Sequence, residues 1–405
     1  MRIAVFANGF DSGGSGIAQS LLAGARALAR RGHVLLLGLP RGEGVEGPER
    51  AAVDERLEVM RLASLPLGAG VGGRLVFPTG VAALHCRAWA PDLVHAHGPF
   101  GAGLEAMAAA RLGDVPLIGT SHGSIGELMW RGPAALASLG SAVHRYARWY
   151  YDQCDLLTSP SGALVAAMQQ AGLRVPTRVM GHPVPLDLQP RAESYSDRRR
   201  RMGPNGFSLL HVGRLDPERH VDEIIYAIPS LITRIPRVSL TIVGRGPEEV
   251  ALRRLAERLQ VTSHVRFAGP LTGERLVDAY ASGDVFITMS RAGTSDLRIL
   301  EAMASGLPVI GACARGVLER VDASCGILVE SGDTGALTTS ILVLHRDPGR
   351  AAALGAAGRA SAARFLPEPL AMEWEEVYEE VVSRHHHQAR AAASRIAPQP
   401  TRPGS

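Results

Sequence analysis

Residues 208–215 read SLLHVGRL, and similar apolar runs follow as VSLTIVGRG at 238–246, HVRFAGP at 264–270, VFITMS at 285–290, PVIGAC at 308–313 and GILVES at 326–331. Helical segments such as Glu248–Gln260 separate these runs. Short apolar strands that alternate with helices are typical of a parallel sheet covered by helices on both faces. The pattern therefore predicts a doubly wound α/β domain over residues 207–365.

The first half of the chain shows the same alternation, with RIAVF at 2–6, VLLLGL at 34–39, DLVHAH at 92–97, PLIGTSH at 116–122 and DLLTSPS at 155–161. It predicts a second Rossmann-like domain over residues 1–186, facing the other across a cleft. Residues 187–206 are rich in charge, proline and glycine, which favours an interdomain linker. We also expect an amphipathic closing helix at 366–383 and a disordered tail at 384–405.

The composition is typical of a globular protein with two domains. The 405 residues exceed one ordinary core, and 46% hydrophobic with 20% charged residues excludes a fibrous or disordered chain. No apolar run reaches the ~18 residues that a membrane helix needs, and MRIAVFANGF indicates a first strand rather than a signal peptide. We therefore expect a cytoplasmic protein, and its four dispersed cysteines suit reduced thiols.

Arginine supplies every strong cation, because the sequence contains no lysine, and the formal net charge is +4. Arginine binds phosphate groups through two parallel hydrogen bonds. This modest basic excess permits a phosphate-bearing ligand or an anionic membrane surface without requiring either. Since no basic face interleaved with aromatic residues runs along the chain, nucleic-acid binding is not expected.

Two loops are candidates for binding phosphate. Asn8–Gly16 contains four glycines between the first strand and the first helix, where backbone N–H groups and the helix dipole favour an anion. It matches neither a GxGxxG nor a GxxxxGK[ST] motif, and a plain tight turn is the alternative. In HVGRLDPERHVDE, Arg214 directly follows a strand and Arg219 comes five residues later, so both can lie at the ligand-binding edge of the sheet or be ordinary surface arginines.

These motifs resemble the retaining glycosyltransferases of family 4, which have the GT-B fold. The resemblance spans nearly the whole chain, from the glycine loop through PDLVHAHG, GTSHG and CDLLTSPSG to HVGRLDPERHVDE, LTIVGRGPEE and LEAMASGLPVIG at 300–311. It implies that His122, Arg214 and Arg219 are catalytic, with the arginines clamping the diphosphate and His122 near the reacting sugar. It also implies a donor-binding set of Gly13, Gly14, Gly213, Arg214, Arg219, Asp296, Leu297 and Glu301, in which Gly14 donates a backbone N–H to the diphosphate and Glu301 accepts from the ribose.

The sequence departs from the family in its Glu-x7-Glu element. Counting back from Glu301 places Gly293 where the first glutamate is usual, and Asp296 stands where a glycine is usual. Asp296 can supply a carboxylate from a shifted position, or it can simply cap the following helix. Arg219 stands where lysine is usual, which keeps the charge and changes its reach.

The resemblance implies transfer of a sugar from a nucleoside-diphosphate donor with retention of configuration, without a bound metal or other cofactor. For the acceptor we expect a lipid, a lipid-linked sugar or a polysaccharide. The aromatic and basic segment at 134–151 and the arginines at 198–201 suit an inner membrane surface, but the signal is weak, and an ordinary amphipathic helix packed on its own sheet is the simpler explanation of the first. The alternatives are a catalytically weakened protein that binds sugar nucleotides and a nucleotide-sugar epimerase.

Overall fold

The computed structural model describes residues 1–8, 16–41, 55–66, 74–123, 140–185, 206–291 and 297–396. Its first unit contains a seven-stranded parallel sheet in the order β3-β2-β1-β6-β7-β8-β9. The strands are β1 (Arg2–Ala7), β2 (Val34–Pro40), β3 (Leu57–Leu62), β6 (Leu93–His97), β7 (Leu117–Thr120), β8 (Leu156–Ser159) and β9 (Thr177–Val179). Between them β4 (Ser64–Pro66) and β5 (Arg74–Val76) form a separate antiparallel pair.

Helices cover both faces of this sheet. They are α1 (Gly16–Arg30), α2 (Val81–Trp89), α3 (Ala102–Gly113), α4 (Gly140–Tyr151) and α5 (Gly162–Gln170). The central strands are almost continuously apolar and buried, as is typical of a parallel sheet with helices on both sides. Ser161 caps α5, because its Oγ accepts the backbone N–H of Leu164 at 3.1 Å.

The second unit is a six-stranded parallel sheet in the order β12-β11-β10-β13-β14-β15. Its strands are β10 (Gly206–Val212), β11 (Arg237–Val243), β12 (Val265–Gly269), β13 (Val285–Thr288), β14 (Val309–Ala312) and β15 (Gly326–Val329). Its helices are α6 (Val221–Ile232), α7 (Glu249–Arg258), α8 (Gly273–Ser282), α9 (Leu297–Ala304), α10 (Arg315–Leu318), α11 (Thr334–Arg346) and α12 (Pro348–Ala362). The predicted pair of doubly wound parallel-sheet domains is therefore confirmed. Apart from Gly206, which begins β10, the predicted linker at 187–206 lies outside the described residues.

The closing helix, α13 (Pro367–Ile396), returns to the first unit. Its residues Leu370, Trp374 and Tyr378 are buried in a cluster with strands β1 and β2 and helix α1. The expectation of a disordered tail from residue 384 differs from the structure, in which the helix continues to Ile396. Alanine, glutamine and arginine are good helix formers, and Arg384 donates to the carbonyl of Asp155 at 3.1 Å, which extends the docked surface. Residues 397–405 lie outside the described part of the chain.

Candidate active site

The candidate site lies where the carboxyl edges of the two sheets face each other. In each sheet the strand order reverses direction beside the first strand, between β1 and β6 in one unit and between β10 and β13 in the other. Ligands of open α/β sheets bind in the crevice at such a switch point. The two crevices adjoin, since an added Cβ on Gly16 of α1 would lie 2.9 Å from a guanidinium nitrogen of Arg298 in α9.

Direct bonds join the two carboxyl edges. Glu319, just after α10, accepts hydrogen bonds from the Ser161 hydroxyl at 2.8 Å and the Ala163 backbone N–H at 2.9 Å. Arg320 donates to the Pro160 carbonyl at 2.8 Å. A carboxylate from the second unit thus occupies the N-terminus of α5 in the first, where the helix dipole favours a negative charge. The two units therefore contact each other directly at this edge.

The loop after β10 presents Gly213 and Arg214 at this edge. The Gly213 N–H donates to the Val243 carbonyl at 2.9 Å, and an added Cβ on Gly244 would lie 1.8 Å from the Gly213 carbonyl oxygen. The two loops therefore touch through their backbones, which requires glycine at 244. Arg214 donates to both Asp216 carboxylate oxygens, at 2.8 and 3.1 Å, while 44% of its side chain is exposed. The arginine is held in a fixed orientation and still accessible at the edge.

Arg219 is the last residue of the short 3-10 helix Pro217–Arg219, which lies close to the end of β13. Its Nη1 donates to the Ser290 hydroxyl at 3.3 Å, and the Arg291 N–H donates to the Glu218 carbonyl at 2.9 Å. The structure thus brings the β10 loop and the segment before α9 together on the two sides of the switch point. Both cations that the sequence predicted lie at this crevice.

Glu301 lies in α9 and is fully buried. Its carboxylate accepts from Arg298 Nη1 at 2.7 and 2.6 Å and from the Tyr280 hydroxyl at 2.7 Å. A carboxylate offers about four acceptor positions, so capacity is left on Oε1 beyond these bonds. Leu297 begins α9 with a buried side chain. Gly13, Gly14, Gly293 and Asp296, which the sequence analysis singled out, lie outside the described residues.

His122 follows β7 in the first unit and lies within a row of histidines. Its Nε2 is 2.8 Å from His97 Nδ1, and its Nδ1 is 3.2 Å from His182 Nε2. The three rings are stacked, with interplanar angles of 15° and 17°. One proton must lie in each of these contacts, so the tautomer of His122 is tied to those of its neighbours.

A fourth histidine extends the row into the core. His95 is 2% exposed, its Nδ1 lies 2.9 Å from the Tyr378 hydroxyl of α13, and its Nε2 lies 2.7 Å from Thr120 Oγ1. Burial lowers the pKa of His122 to about 4, and burial with the neighbouring His122 lowers the pKa of His95 to about 3. Burial and neighbouring histidines also hold the pKa values of His97 and His182 well below the ordinary value. The row is therefore uncharged at neutral pH.

Comparison with known proteins places the chain in a family. The profile described as Glycosyltransferase Family 4 matches residues 14–188, and the profile described as Glycosyl transferases group 1 matches residues 206–347. A GDP-mannose-dependent alpha-mannosyltransferase of Mycolicibacterium smegmatis is 31% identical over 350 residues, which cover 82% of this chain and 84% of that protein. The chain belongs to the family 4 glycosyltransferases.

Other relatives of this family 4 glycosyltransferase match more locally. The GDP-mannose-dependent alpha-(1-6)-phosphatidylinositol monomannoside mannosyltransferase of the same organism is 38% identical over 159 residues, which cover 37% of this chain and 42% of that protein. The chain spans about half the length of the first curated relatives that it matches. Among solved structures, the Anabaena protein HepE in complex with UDP has a TM-score of 0.73 at 21% identity, over 94% of this chain and all of that one. The predicted GT-B fold is confirmed.

Several contacts in the site of this glycosyltransferase were missed in the sequence. A sequence pattern could have indicated His97, because His95 and His97 in DLVHAH have the period-2 spacing of one strand face. A pattern could also have indicated Arg298, since it lies three residues before Glu301 on the same helix. No sequence pattern indicates His182 or Tyr280, because only tertiary packing brings them to the site.

Two negative findings concern only the residues that the structure describes. Within them no group of three histidine, cysteine or acidic side chains is placed to hold a metal ion. Likewise, no helix of those ranges combines the length and the hydropathy required to span a bilayer.

Proposed function

We propose that this protein is a retaining glycosyltransferase that transfers a hexose from a nucleoside-diphosphate sugar to a lipid, a lipid-linked sugar or a polysaccharide. The observation that carries the proposal is the meeting of the two carboxyl sheet edges, with Arg214 and Arg219 on one side and His122 on the other. The bonds from Glu319 and Arg320 to the first unit fix this arrangement. A donor bound at the second unit would lie between the arginines and the histidine row.

The arginines supply the charge that a departing diphosphate needs. Asp216 already orients the Arg214 guanidinium, so less side-chain freedom is lost when a phosphate binds. Preorganised cations directed at the charge that develops on a leaving group are among the strongest contributors to catalysis. We therefore assign diphosphate stabilisation to Arg214 and Arg219 without a metal ion.

The uncharged histidine row suits contact with the sugar hydroxyls. A neutral imidazole both donates and accepts, and the ring of His122 is fixed between two others. In a retaining transfer of this kind the acceptor hydroxyl attacks from the face that the diphosphate leaves, so no enzymic nucleophile is needed. His122 then positions the transferred sugar, and the buried carboxylate of Glu301 has the acceptor capacity to bind the ribose.

For the donor and the acceptor the support comes from the relatives. A relative that matches 82% of this chain is named for GDP-mannose, and one that matches 37% of it is named for a phosphatidylinositol monomannoside. We accordingly place GDP-mannose first among the donors to be tested and a lipid first among the acceptors. Such a chain would act at the inner surface of the cytoplasmic membrane.

A second candidate is a protein that binds sugar nucleotides without efficient transfer. Gly293 stands in place of the first glutamate of the Glu-x7-Glu element, and Arg298 neutralises the second. The glycine at position 293 thus leaves the site without one of the two carboxylates, and the contact with Arg298 occupies the other. This candidate predicts donor binding with little or no turnover.

The test is a panel of nucleotide sugars, scored for nucleotide release with and without membrane extract. Glu301→Ala would remove the fully buried carboxylate that accepts from Arg298 and the Tyr280 hydroxyl and would leave a cavity in its place, so Glu301→Gln, which keeps the size of the side chain, is the better inactive control. Release that needs one donor and the extract, and that falls in Glu301→Gln, supports the transferase. Donor binding by calorimetry with no release across the whole panel would support the second candidate instead.

A further inference from the structure

The three hydrogen-bonded rings of the histidine row have ring nitrogens left for a further partner only at the two ends. His122 lies in the middle, and both of its ring nitrogens are engaged, Nε2 by His97 at 2.8 Å and Nδ1 by His182 at 3.2 Å. Since an imidazole has two ring nitrogens, the positions left within these rings are Nε2 of His97 and Nδ1 of His182. A ligand that bonds to a ring nitrogen therefore meets an end of the row, not its centre.

His97 lies at the switch point of the first sheet. It is the last residue of β6 and pairs with Ala7, the last residue of β1, and the switch point lies between these two strands. Ligands of open α/β sheets bind in the crevice at such a point. His122 follows β7, which is one strand further away. In this topology the end of the row at the crevice is His97.

The ring of His97 is fixed before any ligand arrives. The buried ring of His95 lies against it, with centroids 4.3 Å apart, and His95 is itself bonded to Tyr378 and Thr120. The side chain of His97 is partly exposed, and within the described part of the chain no polar atom bonds to its Nε2. A side chain held in this way loses little conformational freedom when it binds a ligand.

The protons of the three rings can follow one of two directions. If every ring is protonated at Nε2, His182 donates to His122 and His122 donates to His97. If every ring is protonated at Nδ1, both bonds are reversed. In the first direction the row ends at His97 with an N–H group, and in the second it ends there with a lone pair.

Arg320 of the second unit favours the first direction. Its guanidinium lies over the ring of Phe365, 4.6 Å from the centroid, and an added Cβ on Gly181 would lie 2.3 Å from a carbon of the same ring. Arg320 thus lies beside the His182 end of the row. Burial lowers the pKa of His182, and the positive charge of Arg320 lowers it further. A cation at this end favours a lone pair on Nδ1 of His182, and therefore an N–H group on Nε2 of His97.

We propose that His97 donates a hydrogen bond from Nε2 to an oxygen of the transferred sugar, and that His122, His182 and Arg320 are positioning residues that keep the proton on that nitrogen. This assignment rests on the proposed function, since a nucleotide bound at the second unit would reach the first unit with its sugar. His122 then positions the sugar through His97. A fixed N–H group discriminates between sugars by whether an oxygen stands opposite it.

The direction of the row is tested without a ligand. Long-range ¹H–¹⁵N spectra of the full chain with ¹⁵N-labelled histidine show which ring nitrogen carries the proton, and the variants His97→Gln, His122→Gln and His182→Gln assign the signals. We expect protonation at Nε2 in all three rings. Protonation of His97 at Nδ1 in the unmodified chain would overturn the proposal.

The same spectra test the role of Arg320. Arg320→Gln should allow Nδ1-protonated forms to appear, because the charge that favours one direction is lost. The matched control is Arg364→Gln, which also removes a guanidinium that lies over the ring of Phe365, and it should leave the protonation unchanged. Unchanged protonation in Arg320→Gln would refute its part in setting the direction.

The contact with the sugar is tested by comparing GDP-mannose with GDP, and UDP-glucose with UDP. The His97 Nε2–H signal should shift with a nucleotide sugar and stay in place with the nucleoside diphosphate alone. His97→Phe keeps a ring but donates nothing, so it should weaken binding of that nucleotide sugar about five- to ten-fold by calorimetry and leave binding of the diphosphate unchanged. His85→Phe, at an exposed position of α2, is the control, and circular dichroism checks that every variant is folded.

The outcomes separate this contact from a structural role and from the chemistry. Weaker binding of both ligands by His97→Phe would show a structural role and overturn the contact, as would the absence of a shift at His97 with either nucleotide sugar. Nucleotide release is measured in parallel. A shift at His97 without release from any donor leaves the contact standing and refutes the proposed function, and release without a shift does the reverse.

Discussion

Lowering the pH should destabilise this protein through its buried histidines, and His95 allows the size of the effect to be worked out. The pKa of His95 falls from 6.5 to about 3, mainly through burial. Below pH 6.5 the unfolded chain binds a proton there that the folded chain excludes until about pH 3. The contribution of neutral, buried His95 to the free energy of unfolding is thus fully present above pH 6.5, and it is lost as the pH falls toward 3. At ~1.4 kcal/mol per pH unit, the loss between pH 7 and pH 5 is about 2 kcal/mol.

The assay is the free energy of unfolding in urea at pH 7, 6 and 5, for the unmodified chain and for His95→Gln. The variant loses bonds to Tyr378 and Thr120, so it should be less stable at pH 7. Its further loss from pH 7 to pH 5 should nevertheless be smaller by about 2 kcal/mol, because glutamine does not titrate. His386→Gln, on the exposed side of α13, is the control and should keep the full slope. Equal pH slopes for His95→Gln and the unmodified chain would refute the reasoning.

Three further predictions concern the cleft. Glu319→Ala removes two charge-assisted hydrogen bonds between the units, each worth about 1.5–3 kcal/mol. The radius of gyration in X-ray scattering should therefore increase, whereas the control Glu257→Ala on α7 should leave it unchanged. Arg219→Ala should weaken donor binding about ten-fold or more by calorimetry, and Arg219→Lys should weaken it much less, with exposed Arg258→Ala as the control. Equal effects of the alanine and lysine variants would argue against a diphosphate contact. Gly293→Glu should raise kcat with little change in donor KM if the missing carboxylate limits turnover, and an unchanged kcat would show that the chain does not depend on it.

Local sequence periodicity was enough to predict the sheets. Runs such as RIAVF and SLLHV are too short and too apolar for surface helices, and the helical segments between them imply parallel crossovers. The candidate cations followed from the same pattern, because Arg214 directly follows a strand and carboxyl edges of parallel strands meet. The end of α13 did not follow, since composition alone cannot show that Arg384 reaches the Asp155 carbonyl.

The surroundings of the site residues were less predictable. Tyr280 and His182 reach Glu301 and His122 from distant parts of the chain, and no local pattern encodes such contacts. The exposure of some apolar side chains was hidden for a related reason. Leu75 and Leu84 look like core residues in the sequence, and only the structure shows that their neighbours fill the core instead.

The return of α13 to the first unit affects how the chain can be assembled. The ribosome makes residues 367–396 only after the whole second unit, yet their apolar face covers α1 and the strands beside it. Until then, the first unit leaves a strip of its own core open to water, so it should be prone to aggregation or chaperone binding during synthesis. A fragment that stops at residue 186 would keep that strip exposed permanently. A fragment for crystallography or binding studies should therefore carry α13 joined to the first unit by a short linker.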